Sequence, residues 1–153
     1  MRNFLIKGSV TFLGTGYLPF MPGTFASALG IIIYYFLKDN PFLYCGVVAA
    51  LLVLGLWLGG SAEKIFKRKD PPQVVIDEVV GVLISLIFLP AAVAPVILGF
   101  LVFRILDTLK PFPAAGFQDL GGSFGIMADD IVAGIYTNII LQLAVRLTSC
   151  RGL

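Results

Sequence analysis

The sequence contains no histidine, and only two of its 153 residues are cysteine. The absence of imidazole excludes histidine-dependent lipid phosphatases, H-E-x-x-H metalloproteases and Ser-His-Asp hydrolases. Cys45 lies in an apolar run and Cys150 near the C-terminus, so neither a disulfide framework nor a cysteine-rich metal site is supported. Neither cysteine has a base or a phosphate-binding loop beside it, which argues against a thiolate nucleophile. The Asp-x-Asp signature of aspartyl-phosphate hydrolases is also absent.

Charge is scarce as well. Only 13% of the residues are charged and 58% are hydrophobic, against about 25% and 45–50% in typical globular domains. The mean hydropathy of +0.97 is typical of a membrane protein. No internal repeat and no alternating strand pattern is visible. The sequence therefore predicts an all-α fold, a small polytopic membrane helical bundle of about four to five helices, in a single domain spanning residues 1–153.

Four apolar segments carry this prediction, at residues 25–37, 42–60, 79–103 and 131–147. Because about 20 helical residues cross the hydrocarbon of a bilayer, only the second is comfortably long enough alone. Pro90 and Pro95 interrupt the third segment, which predicts two helices joined by a tight turn. Lys7 and two glycines break the apolar stretch at the N-terminus, so we expect no signal peptide and a mature chain that begins here.

The basic residues are distributed unevenly along the chain. If the N-terminus is cytoplasmic, the positive-inside rule places eight on the cytoplasmic side and three on the other. The eight are Arg2, Lys7, Lys64, Lys67, Arg68, Lys69, Arg104 and Lys110, and the three are Lys38, Arg146 and Arg151. The cluster from Lys64 to Lys69 suits anionic lipid headgroups better than nucleic acid. Fixing the membrane topology would explain the cluster equally well.

Five of the nine acidic residues lie beside or inside apolar stretches, where an uncompensated charge is costly. They are Asp77, Glu78, Asp107, Asp129 and Asp130. The predicted topology places all three acidic segments on the cytoplasmic side, so folding could gather them around a cation or a phosphate. Hard carboxylate oxygens suit Mg²⁺ or Mn²⁺.

Each acidic segment also has a simpler interpretation. Asp129 and Asp130 could only cap the last helix, although two adjacent acids exceed what a cap needs. Arg104 and Asp107 are three residues apart and could form a plain surface pair. Asp77 and Glu78 point about 100° apart on a helix, so we expect one of them to contact a given metal directly.

The glycine-rich segment GTGYLPFMPGT has two interpretations of its own. It could be a simple loop, or its backbone N–H groups could bind phosphate ahead of a helix. After the acid-bearing helix, Pro111 predicts a helix end that leaves Lys110 free to face the same site.

Four motifs in order resemble the phosphatidylglycerophosphatase A family: GTGYLPFMPGTFAS, DPPQVVIDEVVG, FRILDTLKPFP and GGSFGIMADDIVAG. The resemblance runs over about residues 14–133. It implies a magnesium-dependent lipid phosphatase that removes the terminal phosphate of phosphatidylglycerophosphate to give phosphatidylglycerol. It also implies a multi-pass protein of the bacterial cytoplasmic membrane whose active site faces the cytoplasm, with no nucleic-acid partner.

The resemblance assigns roles to particular residues. Its implied catalytic residues are Asp77, Asp107, Asp129, Asp130 and Lys110. Its implied metal ligands are Glu78, Asp107 and Asp130. Its implied substrate-binding residues are Gly14, Gly16, Gly23, Thr24, Ser27 and Arg104, with Pro22 in the same loop. Ala26 departs from the glycine expected at that position, which affects only the expected loop geometry.

The residues and the resemblance agree on phosphoryl transfer, which needs charge stabilisation on the phosphate oxygens and an aligned nucleophile. We favour metal-activated water with an aspartate as general base, while direct attack by an aspartate stays open. The main alternative is a small membrane transporter or ion-pathway protein, which would also bury carboxylates but needs polar groups through the depth of the membrane. A CDP-alcohol phosphotransferase lacks support because the D-G-x-x-A-R motif is absent.

Overall fold

The computed structural model describes residues 1–117 and 120–150, and in these ranges every regular element is helical. The α-helices are α1 (Arg2–Val10), α2 (Pro22–Leu37), α3 (Pro41–Phe66), α4 (Ile76–Ser85), α5 (Val93–Leu109), α6 (Ala114–Phe117) and α7 (Gly122–Cys150). A short 3-10 turn, Thr15–Tyr17, follows α1. The all-α prediction is confirmed, but seven helices exceed the four to five expected, because α1 and α6 are too short to form apolar segments in the sequence.

Two helices, α3 and α7, are long and apolar enough to cross a membrane by length and composition. Only 22% of the most apolar window of each helix is buried, whereas a core helix of a soluble protein would be mostly covered. Large side chains such as Val53, Trp57 and Leu143 face outward. Their exposure suits a hydrocarbon environment.

The third apolar segment forms two helices, α4 and α5, as predicted. Pro95 falls in the first turn of α5, where a missing N–H breaks no helical bond. The connection between the two helices leaves carbonyl groups that α7 satisfies. The side-chain amide of Asn138 donates to the carbonyls of Ser85 at 3.1 Å and Ile87 at 2.8 Å, and that of Gln142 donates to Ile87 at 3.1 Å.

The last helix begins earlier than expected, at Gly122 instead of near residue 131. Two contacts with α3 hold this start: Glu63 Oε2 accepts the N–H of Gly122 at 2.9 Å, and Ser123 Oγ accepts the N–H of Gly60 at 2.6 Å. Asp129 and Asp130 therefore lie about two turns inside the helix. The alternative that they only cap it is wrong, since capping acts at the helix start.

A backbone contact between α4 and α7 sets the centre of the bundle. A Cβ atom added to Gly134 would lie 2.5 Å from the carbonyl oxygen of Gly81, and one added to Gly81 would lie 2.9 Å from that of Asp130. The two helices run in the same direction, and Asp77 and Asp130 each lie one turn before the glycine of their own helix. The close crossing thus brings the two carboxylates together.

We predict that Gly81→Ala and Gly134→Ala each lower the free energy of unfolding by about 1 to 3 kcal/mol, because the new methyl group forces the helices apart. Thermal unfolding in detergent, followed by circular dichroism, measures the effect. Gly46→Ala in α3 is the matched control, since nothing lies within 4 Å of its added Cβ atom. Equal unfolding curves for all three variants would contradict this account of the crossing.

Candidate active site

One cavity of about 400 Å³, at one end of the bundle, is lined by charged residues from several helices. Its walls come from the first turns of α2 and α4, the end of α5, the second and third turns of α7 and the segment after α3. Nine charged side chains line it: Asp70, Asp77, Glu78, Asp107, Asp129 and Asp130, with Arg68, Arg104 and Lys110. All seven charged residues singled out from the sequence are among them.

Three of these carboxylates form a compact trio, Asp77, Glu78 and Asp130. One oxygen from each lies within 4.8 Å of the others. Asp77 is 7% exposed and Asp130 3%, and Asp77 Oδ1, Glu78 Oε2 and Asp130 Oδ1 are buried without a hydrogen-bond partner. Burying three unpaired carboxylates is costly unless a cation joins them. The trio therefore fits a metal ion with a preference for oxygen ligands.

Asp77 and Glu78 each contribute an oxygen to this trio. From their angular separation on a helix, only one of them was expected to contact a given metal directly. Glu78 has one more methylene group than Asp77, and Gly23 leaves the space that its side chain uses. A Cβ atom on Gly23 would lie 2.1 Å from Glu78 Oε1. Gly23 belongs to the first turn of α2 and lines the cavity.

Pro22 also lines the cavity, whereas Gly14, Gly16, Thr24 and Ser27 do not. Gly16 packs against the loop before α4, because an added Cβ atom would lie 1.9 Å from the carbonyl oxygen of Gln73. Ser27 Oγ donates to the carbonyl of Gly23 at 2.9 Å, a bond within α2. Thr24 Oγ1 is buried without a partner, and Gly14 has a φ of 93° ahead of the 3-10 turn. Packing accounts for Gly16 and Ser27 without any contact to a ligand.

Two cations of the cavity pair with the remaining acids. Arg104 Nη1 lies 2.7 Å from Asp107 Oδ2, and both side chains are largely covered, so they do not form the plain surface pair considered from the sequence. Lys110 donates to Asp129 Oδ2, while Asp129 Oδ1 accepts the N–H of Asp130 at 3.1 Å. Burial lowers the pKa of Lys110, but the hydrogen bond and charge of Asp129 outweigh burial and raise the pKa above its usual value. Lys110 is therefore cationic at neutral pH.

Sequence reasoning missed Glu63, Arg68 and Asp70. Glu63 Oε1 accepts the N–H of Asp70 at 3.2 Å and its Oε2 accepts the N–H of Gly122, so this one carboxylate joins the segment after α3 to the start of α7. Burial, with the charge of Asp129, raises the pKa of Asp70. Asp70 opens the motif DPPQVVIDEVVG and could have been noticed there. Glu63 lies outside every motif, and no sequence signal marks it.

Comparison with known proteins identifies related sequences. The family model described as phosphatidylglycerophosphatase A matches residues 9–145. The phosphatidylglycerophosphatase A of Escherichia coli strain K12 is 38% identical over 131 residues, which cover 84% of this chain and 76% of that protein. Its Haemophilus influenzae counterpart is 37% identical over 134 residues, covering 84% and 81%.

A third relative carries a different name. It is provisionally named a phosphatidylinositol-3-phosphatase, comes from Bacteroides thetaiotaomicron, and is 37% identical over 145 residues that cover 88% of this chain and 89% of that protein. No solved structure matches the chain. The resemblance drawn from the four motifs is confirmed by the family match.

We predict that Asp77→Asn and Asp130→Asn each weaken the binding of Mn²⁺ to purified protein at least about tenfold, equivalent to about 1.4 kcal/mol. Asn keeps the side-chain shape but removes the charge that compensates the metal. Electron paramagnetic resonance of free Mn²⁺ during a titration measures the affinity. Asp39→Asn serves as the control, because the Asp39 side chain is 84% exposed and pairs with Lys38. Unchanged titrations for both site variants would rule out the trio as a metal centre.

Proposed function

The chain belongs to the phosphatidylglycerophosphatase A family, and on that premise we propose that it removes the terminal phosphate of phosphatidylglycerophosphate, releasing phosphatidylglycerol and phosphate. The observation that carries this proposal is the cavity in which three neighbouring carboxylates, each with one buried oxygen that has no hydrogen-bond partner, adjoin three cations. Hydrolysis of a phosphate monoester needs both an anchor for a divalent ion and positive groups around the phosphate.

Asp77, Glu78 and Asp130 would hold Mg²⁺, because their orphaned oxygens are the hard ligands that this ion prefers. When bound, the ion would neutralise phosphate charge and polarise a phosphate oxygen. Mn²⁺ accepts similar ligands and is expected to substitute.

The balance of charge in the cavity supports a requirement for a cation. Six acids against three bases give the lining residues a formal charge of minus three when all of them are ionised. A phosphate dianion would be repelled from such a cavity unless the acids are neutralised. Arg68, Arg104 and Lys110 would then face the phosphate oxygens, with Arg104 and Lys110 held in place by Asp107 and Asp129.

We favour water as the nucleophile, with Asp107 or Asp129 accepting its proton. Both carboxylates lie in the cavity beside a cation and outside the trio, so each can act as a base without leaving the metal ligands incomplete. The competing mechanism is direct attack by an aspartate, which would form an acyl phosphate. Acid quenching during turnover of ³²P-labelled substrate separates the two, since only direct attack leaves label on the protein.

The orientation we propose is a multi-pass protein in the bacterial cytoplasmic membrane whose cavity opens to the cytoplasm. The end of the bundle that carries the cavity also carries the Lys64 to Lys69 cluster, at the end of α3. Lys38 and Arg146 lie toward the other end, after α2 and late in α7, and Arg151 lies outside the described residues. This arrangement satisfies the positive-inside rule.

Two other functions have less support from the structure. A transporter or ion pathway would need polar groups that continue through the membrane, but Asn138 and Gln142, which lie deeper along α7, donate to backbone carbonyls of the connection after α4. A phosphatidylinositol-3-phosphatase is suggested by the name of the Bacteroides relative. Phosphatidylglycerophosphate and phosphatidylinositol 3-phosphate each carry a phosphate monoester on the headgroup, so an assay of the two lipids side by side decides which headgroup is preferred.

We predict that purified protein in detergent releases phosphate from phosphatidylglycerophosphate with Mg²⁺ and loses this activity in EDTA. Asp130→Asn should lower kcat/KM at least about a hundredfold, a loss of about 2.7 kcal/mol in transition-state stabilisation. Asp39→Asn is the control and should retain activity, since Asp39 lies outside the cavity. Full activity in exhaustively chelated protein would remove the metal from the mechanism.

The orientation is tested by single cysteines at Lys67 and Gly121, in a background without Cys45 and Cys150. Both positions should resist a membrane-impermeant thiol reagent in intact cells and react after lysis, because they lie at the end of the bundle that we place in the cytoplasm. A cysteine at Lys38 is the matched control and should react before lysis. Labelling of Lys67→Cys or Gly121→Cys in intact cells would reverse the proposed orientation.

A further inference from the structure

A second cavity, of about 640 Å³, lies between α1 and α3 and shares no lining residue with the active-site cavity. Its α3 wall consists of Leu54, Trp57, Leu58, Ser61, Lys64 and Ile65. These positions recur at intervals of three and four residues, so they form one face of the helix. The α1 wall adds Arg2, Leu5 and Ile6 among others.

The α3 face has the dimensions of one lipid leaflet. From Lys64 to Leu54 the helix rises about 15 Å, which is half of the roughly 30 Å hydrocarbon thickness of a bilayer. Lys64 lies near the charged end of α3, whereas Leu54, Trp57 and Leu58 lie toward its middle. The cavity is therefore a groove with a cationic end and an apolar length that an acyl chain could occupy.

Among the residues that the structure describes, neither cation of this groove, Arg2 or Lys64, has an acidic partner. The ion pairs of the described residues involve Lys38, Arg104 and Lys110 but neither Arg2 nor Lys64. The described residues that line the groove include no acid. Two unpaired cations above an apolar surface complement a headgroup of net negative charge, and they favour it over a zwitterionic headgroup, which brings a positive group of its own.

We propose that this groove binds one anionic phospholipid, with its phosphate against Arg2 and Lys64 and an acyl chain along Leu54, Trp57 and Leu58. The site is separate from the catalytic cavity and does not depend on the proposed reaction. It also gives Lys64 a specific role within the basic cluster, beyond the fixing of topology.

Trp57 makes the proposal directly measurable, because it is the only tryptophan in the chain and its exposed side chain lines the groove. The full chain is reconstituted in vesicles that contain brominated phosphatidylglycerol or brominated phosphatidylcholine at equal mole fraction. Bromine quenches tryptophan fluorescence on contact, so quenching reports which lipid occupies the groove. We expect at least a twofold preference for the anionic lipid, reduced by high salt.

The double variant Arg2→Gln with Lys64→Gln should remove this preference, while Lys38→Gln, at the other end of the bundle, should keep it. Thermal unfolding in detergent, followed by circular dichroism, reports whether the double variant is folded. The quenching of the wild-type protein by the two brominated lipids tests the proposal even if the double variant does not fold. Equal quenching by the two lipids would reduce the groove to ordinary lipid contact, and no quenching by either would indicate a protein occupant, such as a second copy. Either result overturns the proposal.

Discussion

The contact between the backbones of α4 and α7 is the constraint on which the site depends. Gly81 and Gly134 allow the two helices to approach so closely that any side chain at either position would overlap the other helix. Asp77 and Asp130 precede these glycines by one turn, so the distance between their carboxylates follows from the distance between the backbones. A crossing at the usual 8 to 10 Å between helix axes would separate the acids. Small residues at a helix interface are a common solution in membranes.

The same crossing explains why charge can persist in a bundle this apolar. The acids are close enough to share a single cation, and coordination of such an ion would offset the cost of burying them. The bases line the same cavity, and Arg104 and Lys110 each pair with an acid that is outside the trio. The site thus has one region suited to a metal and another suited to an anion.

The sequence predicted the helical class, the break between α4 and α5 and the gathering of seven charged residues, because apolar segments, prolines and misplaced acids are local features. It did not predict the early start of α7, since that start depends on Glu63 and Ser123, whose partners lie about 60 positions away in sequence. The sequence left the glycine-rich segment open between a simple loop and a phosphate-binding loop, and it did not predict that Gly16 packs against Gln73 and Gly23 against Glu78. Long-range contacts of this kind leave no periodic signal in a single chain.

Glu63 shows how the two halves of the molecule are coupled. Its carboxylate fixes the start of α7, which sets the depth of Asp129 and Asp130, and it also fixes Asp70 in the segment that carries Arg68. One turn of the same helix further on, Lys67 adopts a left-handed conformation, with a φ of 53°, and redirects the chain toward the cavity. Lys64, beside Glu63, points instead into the groove with α1. The end of α3 therefore separates two sets of polar residues, one that shapes the candidate active-site cavity and one that lines the groove with α1.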